Sequence, residues 1–279
     1  MYSIRSFDSN EIGKLIEDLA KDPISYRHVY GTLDTEYQHF GSGRPGYELF
    51  AVMDLPLLMW TESRVCSIWE KPDNDDIIDS LRALLADRRA NELFVLGDEC
   101  FTFFRPHLID GQWRYSRNYG VDASTFKPKP LPSIRKLSEK DRTVVELAVE
   151  NGAFGTSAST LRDFNLMADG MLVICYGAFA GDEIVGFCSA NPICRGIQEI
   201  SWIVVANDHR RKGFASALLT MQATEAFADG KALGYHAGAA GDDLHAMLMR
   251  LGFHEVKPSY RFIPATAEDQ WRTHWGKIV

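Results

Sequence analysis

The sequence lacks any paired-cysteine pattern. Its five cysteines, Cys66, Cys100, Cys175, Cys188 and Cys194, are an odd number without a Cys-x-x-Cys spacing or a Cys/His cluster. That argues against both a disulfide framework and a zinc site. No metal is expected, and reduced thiols fit a cytoplasmic location. Long apolar runs are missing too. No stretch approaches the about 18 residues that a membrane-crossing helix needs, and the opening MYSIRSFDSNEIGKL has no secretory h-region. A membrane partner is therefore not expected. Positive charge is also short: 30 Lys and Arg stand against 38 Asp and Glu, a formal net charge of −8. This balance opposes the phosphate neutralisation on which sequence-independent nucleic-acid binding depends, so no nucleic-acid partner is expected. Repeats, long charge blocks and low-complexity tracts are absent by eye.

What remains is an ordinary folding chain of 279 residues, 46% hydrophobic and 24% charged. At roughly 100–200 residues per domain, that length suits two domains. The clearest composition shift is Lys127-Pro128-Lys129-Pro130-Leu131-Pro132, whose prolines remove backbone donors and extend their predecessors. It reads as a linker over 127–132 between an α/β domain at 1–126 and a second domain at 133–279.

In the first segment, Ile12, Leu15, Ile16 and Leu19 predict a helix over 9–20 behind a capping Ser9 or Asn10. Strands are predicted at Glu48–Leu58, Arg64–Trp69 and Leu93–Leu96, with a helix carrying Ile77, Ile78, Leu81, Leu84 and Leu85 before the last. Gly41-Ser42-Gly43-Arg44-Pro45-Gly46 lacks the Gly-Lys-Ser/Thr ending of a phosphate loop and reads as a flexible connection. The aromatic stretch Phe101–Tyr119, interleaved with Arg105, Arg114 and Arg117, reads as strand packing and domain contact.

The second segment predicts strand 133–136, helices 139–151 and 159–168, and strands 171–180, 184–190 and 197–206. Helix 213–229, strand 233–237, helix 242–251 and extended pieces at 253–256 and 260–264 follow. Hairpin turns followed by a strand–helix–strand crossover imply an α/β (α+β) fold on a mixed sheet, antiparallel in part and joined to a parallel pair.

The stretch that carries chemistry runs from Glu199 through Ile203-Val204-Val205 to Arg210-Arg211-Lys212-Gly213-Phe214-Ala215-Ser216. Gly213 and Ala215 remove bulk where a first helical turn exposes its unpaired amides, and three cations flank them. Those are the ingredients of a pyrophosphate cradle. A basic, glycine-containing turn between strand and helix is the plainer alternative.

Arg210-x-x-Gly213-x-Ala215 after an apolar strand resembles the acyl-coenzyme-A signature of the GNAT superfamily, Gln/Arg-x-x-Gly-x-Gly/Ala. The element order from about Pro132 to Pro264 and the helix-ending Leu251-Gly252-Phe253 extend the likeness to about half the chain. The resemblance implies a sheet whose two parallel strands splay apart. A pantetheine arm would lie beside Ile203–Val205, and a pyrophosphate would meet the amides of Arg211 through Ser216. The co-substrate would be acetyl-CoA or another acyl-CoA, and an acceptor amine would attack the thioester directly. In this resemblance Glu199 is the first candidate for base, with Ser201 beside it on an unbulged strand; a solvated or arginine-paired carboxylate is the alternative. The acid position departs from the family: Leu248 stands where a tyrosine is common, and Gly241 where an asparagine is usual. His245, His236 and Tyr260 are the substitutes by proximity. Cys175 and Cys188, inside apolar strands, read as buried small hydrophobes rather than nucleophiles.

The first segment could be a degenerate copy of the same fold without the Arg-x-x-Gly-x-Ala motif, acting as a substrate cover or a dimerising wall. The layout is similar to glycine N-acyltransferase-like and tandem GNAT proteins. The leading reading is an N-acetyltransferase acting on a small-molecule amine or amino acid. A non-catalytic acyl-CoA sensor or scaffold is the alternative, and a tRNA-dependent aminoacyl transferase is disfavoured by charge.

Overall fold

The structure is a computed structural model that describes residues 4–26, 47–52, 55–60, 65–73, 75–87, 92–131, 133–154, 158–194, 196–238 and 241–265. The glycine-rich run at 41–46 lies outside the described residues. The chain forms two compact units, one from Met1–Asn118 with the segment that begins at Val256, the other from Tyr119–Glu255. Each carries its own mixed sheet.

The first unit contains β1 (Ile4–Ser6), α1 (Ser9–Leu19), β2 (Tyr47–Val52), β3 (Leu55–Trp60), β4 (Val65–Ile68), α2 (Ile77–Asp87), β5 (Glu92–Leu96), α3 (Asp98–Phe104) and β6 (Gly111–Ser116). The cap of α1 is Asp8, one residue before the expected Ser9. Its carboxylate accepts the amides of Asn10 and Glu11 at 2.8 and 2.9 Å, and Glu11 reaches back to the Asp8 amide. The single strand expected over Glu48–Leu58 is a pair, β2 and β3, antiparallel with Val52 opposite Leu55. β4 and β5 run parallel, joined through α2, whose Ile77, Ile78 and Leu81 bury onto the sheet with Leu57, Ile68, Leu93 and Phe104. The last strand of the chain, Ser259–Pro264, inserts between β5 and β6 and pairs antiparallel with both. The expected division at 127–132 therefore differs from the observed one, because the C-terminal strand completes the first sheet.

The second unit holds β7 (Asn118–Val121), β8 (Ile134–Lys136), α4 (Arg142–Glu150), α5 (Ala158–Ala168), β9 (Ile174–Ala180), β10 (Glu183–Cys194), β11 (Ile197–Val205), α6 (Phe214–Ala228), β12 (Ala232–His236), α7 (Asp242–Arg250) and β13 (His254–Glu255). The strand order is β13-β7-β12-β11-β10-β9-β8. β11 and β12 form a parallel pair, while β8 to β11 pair antiparallel in sequence.

α6 is rich in small and apolar residues, and its Ala217, Leu218, Leu219, Ala223 and Ala226 are buried against the sheet. The alanines among them permit close approach to the sheet. Buried polar side chains cross this interface: Gln222 donates Nε2 to the carbonyls of Ile174 and Cys188 at 2.9 and 3.2 Å and accepts from Gln198 Nε2 at 3.2 Å. α4 and α5 cover the opposite face through Val145, Ala148 and Phe164. α7 ends at Gly252, in the left-handed region at φ +89, where an added Cβ would come within 2.0 Å of the Thr125 carbonyl. The proline-rich segment belongs to this unit, since the Lys127 amide donates to Leu251 O and the Lys129 amide to Thr220 Oγ1, both at 2.9 Å.

Candidate active site

The parallel register of β11 and β12 begins at Ile197↔Ala232 and stops at Ile200↔Tyr235, although β11 continues to Val205. Over the same stretch β10 stays paired with the other edge of β11 as far as Gly186↔Val205. Residues 201–205 thus present one edge of strand backbone without a β12 partner, a run of about 13 Å at 3.3 Å per residue. This is the parted pair that the resemblance implies.

The strand is bulged where the parting begins. Ser189 lies opposite Trp202 and Ala190 opposite Ile200, so Ser201 is the extra residue. A bulge reverses the alternation of faces beyond it. Ile200 packs into the core beneath α6 and so do Ile203 and Val205, whereas Trp202 and Val204 face α5. Glu199 is thereby set on the α5 face. The strand is not the unbulged one expected, yet Glu199 and Ser201 remain neighbours. Asn191 sits directly opposite Glu199, and its Nδ2 donates to Ser201 Oγ at 2.6 Å.

α5 is fastened to this face by polar contacts. Trp202 Nε1 donates to Thr160 Oγ1 at 3.1 Å, and Ser189 Oγ donates to the fully buried Asp163 at 2.5 Å. Arg162 supplies the countercharge to Asp163 at 2.7 Å. Sequence reasoning missed Asn191, Thr160, Asp163 and Ser189. The available signal was the pair of polar residues, Ser189 and Asn191, at alternate positions in an otherwise apolar strand.

Past Val205 the chain makes a short turn at Asn207–His209 and then the loop 210–213. Arg211 is left-handed at φ +64, as is Gly213 at φ +90. A left-handed residue with a side chain costs about 1–2 kcal/mol, and alternating handedness of this kind builds backbone nests that hold anions. Gly213 is the N-cap of α6 and offers no side-chain acceptor to the first-turn amides. Helical geometry leaves those amides without intrahelical partners, at the positive end of the helix dipole. Arg210 Nε holds the end of the strand by donating to Val205 O at 3.2 Å. Arg211 pairs with Asp243 of α7 at 2.7 Å, both side chains being exposed, and Lys212 is exposed. A cleft of about 420 Å³ opens beside Gly213 and Ser216, with Lys129 and Arg250 on its wall.

The remaining sequence candidates are carried by other elements. His245 on α7 places Nδ1 2.9 Å from Tyr119 Oη and 3.3 Å from Glu255. Those partners belong to β7 and β13, on the side of β12 away from β11. His236 ends β12, one residue past the last paired position. Tyr260 is on the final strand, in the sheet of the first unit. Its Oη donates to Asp98, and its ring stacks on Phe101 at 3.9 Å. Burial first, and then the Asp98 contact, push this phenol above its ordinary range. Leu248, at the position where the family often has tyrosine, is fully buried in the core beneath α7. Cys175 and Cys188 are fully buried, and burial raises both thiols, Cys175 to about 12. Among the described residues no group of three or more His, Cys, Asp or Glu is placed to hold a metal ion, and no helix is long and apolar enough to cross a membrane.

A mixed sheet with a parted parallel pair, a bulge at the parting and a basic loop leading into a helix N-terminus defines an acetyltransferase-type α/β fold. Residues 134–253 match the model of the Acetyltransferase (GNAT) family, and this part of the chain is a GNAT acetyltransferase domain. The activity class that accompanies the domain is acyl-CoA-dependent acetyl transfer. No curated protein matches the sequence. Among solved structures, a Drosophila protein is similar over 94% of this chain and 99% of its own, with a TM-score of 0.61 at 15% identity. A GCN5-related N-acetyltransferase from Sphaerobacter thermophilus is similar over 94% of both chains, with a TM-score of 0.59 at 14% identity. A tandem GNAT protein from the clavulanic acid biosynthesis pathway is similar over 94% of this chain and 97% of its own, with a TM-score of 0.53 at 13% identity. These likenesses extend over both units and concern the fold.

Proposed function

We propose that the protein is an acetyl-CoA-dependent N-acetyltransferase whose acceptor is the amine of a small molecule or amino acid. The observation that carries this reading is the unpaired edge of β11 at 201–205, which leads directly to the uncapped N-terminus of α6. Pantetheine amides find strand backbone there, and the diphosphate finds the amides of Arg211 through Ser216 with the cations of the loop beside them. The cleft beside Gly213 and Ser216 has room for the nucleotide end.

The reaction needs a neutral amine. Glu199, directly or through water, removes one proton from the ammonium, and the freed lone pair attacks the thioester carbonyl. A C–N bond forms, the C–S bond breaks, and the second nitrogen proton finally resides on the departing thiol. No covalent enzyme intermediate is needed, which agrees with the burial of Cys175 and Cys188. The first unit, whose strand–helix order is similar but which lacks the loop motif, is read as a degenerate copy of the same fold. The tandem GNAT neighbour supports this reading of two related halves.

A non-catalytic acyl-CoA sensor is the second reading, favoured by the buried Leu248 in place of an acid. A thiol-release screen with acetyl-CoA over amino acids, polyamines, aminoglycosides and peptides separates the two. Acceptor-dependent release supports the enzyme. Saturable coenzyme A binding by calorimetry with no release across the panel supports the sensor.

A further inference from the structure

The hydrogen bond between Asn191 and Ser201 has a direction. Asn191 uses its Nδ2 donor on Ser201 Oγ, while its Oδ1 is buried and makes no hydrogen bond. A serine hydroxyl has one hydrogen and two acceptor sites. With Nδ2 occupying an acceptor site, the Ser201 hydrogen is turned away from Asn191, and among the described residues it meets no acceptor. Ser201 is also the extra residue of the bulge and the first residue past the last β11–β12 pair. The β11 edge runs from there about 13 Å to Val205, next to the loop and the N-terminus of α6. A cofactor arm that starts at that helix and follows the strand ends at Ser201.

We propose that Asn191 is a positioning residue that fixes the Ser201 hydroxyl as a donor, and that Ser201 donates to the thioester carbonyl oxygen as amine attack places negative charge on it. The proposal rests on the acetyl-transfer reading and deepens it. Ser201 forms no covalent bond and gives up no proton; it stabilises the oxyanion until the C–S bond breaks. Such a donor is effective because it is already oriented before charge develops. Asn191 contributes by denying the hydroxyl its competing orientation.

The test is a double-mutant cycle on the full chain, with acetyl-CoA and the most active amine of the panel above. Ser201→Ala is expected to lower kcat by about 10²-fold, the usual effect of removing one such donor. Asn191→Asp keeps the shape of the side chain but replaces the donor with an acceptor, so the serine hydrogen turns toward residue 191. It is expected to lower kcat about tenfold or more, as is Asn191→Leu, with the acetyl-CoA Kd within about threefold of the unaltered protein. In the Ser201→Ala background neither change should cost anything further, because the group they act through is gone.

Wild-type kcat in Asn191→Asp would overturn the proposal, since the serine would then be donating to residue 191. Additive losses, or an unchanged kcat in Ser201→Ala, would overturn it equally. Should Asn191→Leu not fold, the isosteric Asp variant decides. An unaltered protein that binds acetyl-CoA but releases no thiol with any acceptor would remove the acetyl-transfer reading and this assignment together. Robust wild-type turnover with an additive cycle would remove this assignment alone.

Discussion

Glu199 is 8% exposed, lies across the strand pair from Asn191, and is held on the α5 face by the bulge at Ser201. If it is the base, Glu199→Gln keeps the volume and removes only the proton acceptor. The variant should lose about 10²-fold or more in kcat while acetyl-CoA affinity stays within about threefold. Steady-state kinetics beside calorimetry checks this, and equal losses in both quantities would assign Glu199 to cofactor binding instead. The cysteines give a second prediction. Burial raises Cys66 and Cys175 to about 12 and Cys100 to about 11, and raises Cys188 as well. At pH 8 these thiols stay protonated, and the thiolate is the reactive form. Iodoacetamide should therefore leave all four unmodified in the native protein and label them after denaturation, as read by mass spectrometry.

The loop motif was readable, because Arg210-x-x-Gly213-x-Ala215 is a local pattern. Asn191 and Ser201 were not readable as a pair, because their meeting depends on a bulge, and a bulge is a property of strand register.

At the scale of elements, α5 is tied to the sheet by Asp163, Ser189, Thr160 and Trp202. Asp163→Ala would leave the buried Ser189 hydroxyl without its acceptor, at an expected cost of about 1–3 kcal/mol. Urea unfolding should show this as a lowered midpoint with unchanged slope, and Ser189→Ala, which removes the donor, should cost less. A loss below about 0.5 kcal/mol, the range of ordinary surface changes, would show that α5 does not depend on this contact.

Periodicity and punctuation located most elements to within a few residues. The helix expected at 213–229 is α6 (Phe214–Ala228), and that expected at 242–251 is α7 (Asp242–Arg250). Where the reading differed, a neighbour had decided. Asp8 outcompeted Ser9 as a cap because Glu11 completes its reciprocal bond, and the apolar run from Glu48 proved to be two strands. α3 and the strands β6 and β7 were not separated from the aromatic stretch 101–119, because aromatic residues suit helix and strand alike when buried.

On the scale of the whole molecule, the final strand, Ser259–Pro264, lies between β5 and β6 rather than in the sheet of the GNAT domain. No local sequence feature announces that return, since pairing between strands so distant in the chain, Ser259 with Leu96 and with Ser116, is decided by tertiary packing. Removing the chain from Val256 onward would take an interior strand from the first sheet and expose two new edges. The truncated protein should lose cooperative unfolding of the first unit and aggregate, as read by calorimetry and light scattering. An unchanged melting profile would show that the strand is dispensable.

On the proposed function, the loop 210–213 and the first turn of α6 grip the diphosphate of acetyl-CoA. The decisive measurement is a crystal structure of the acetyl-CoA complex. Diphosphate oxygens should lie within hydrogen-bond distance of the amides of Arg211 through Ser216, with the pantetheine along the 201–205 edge of β11. A cofactor bound elsewhere, with that turn vacant, would contradict it.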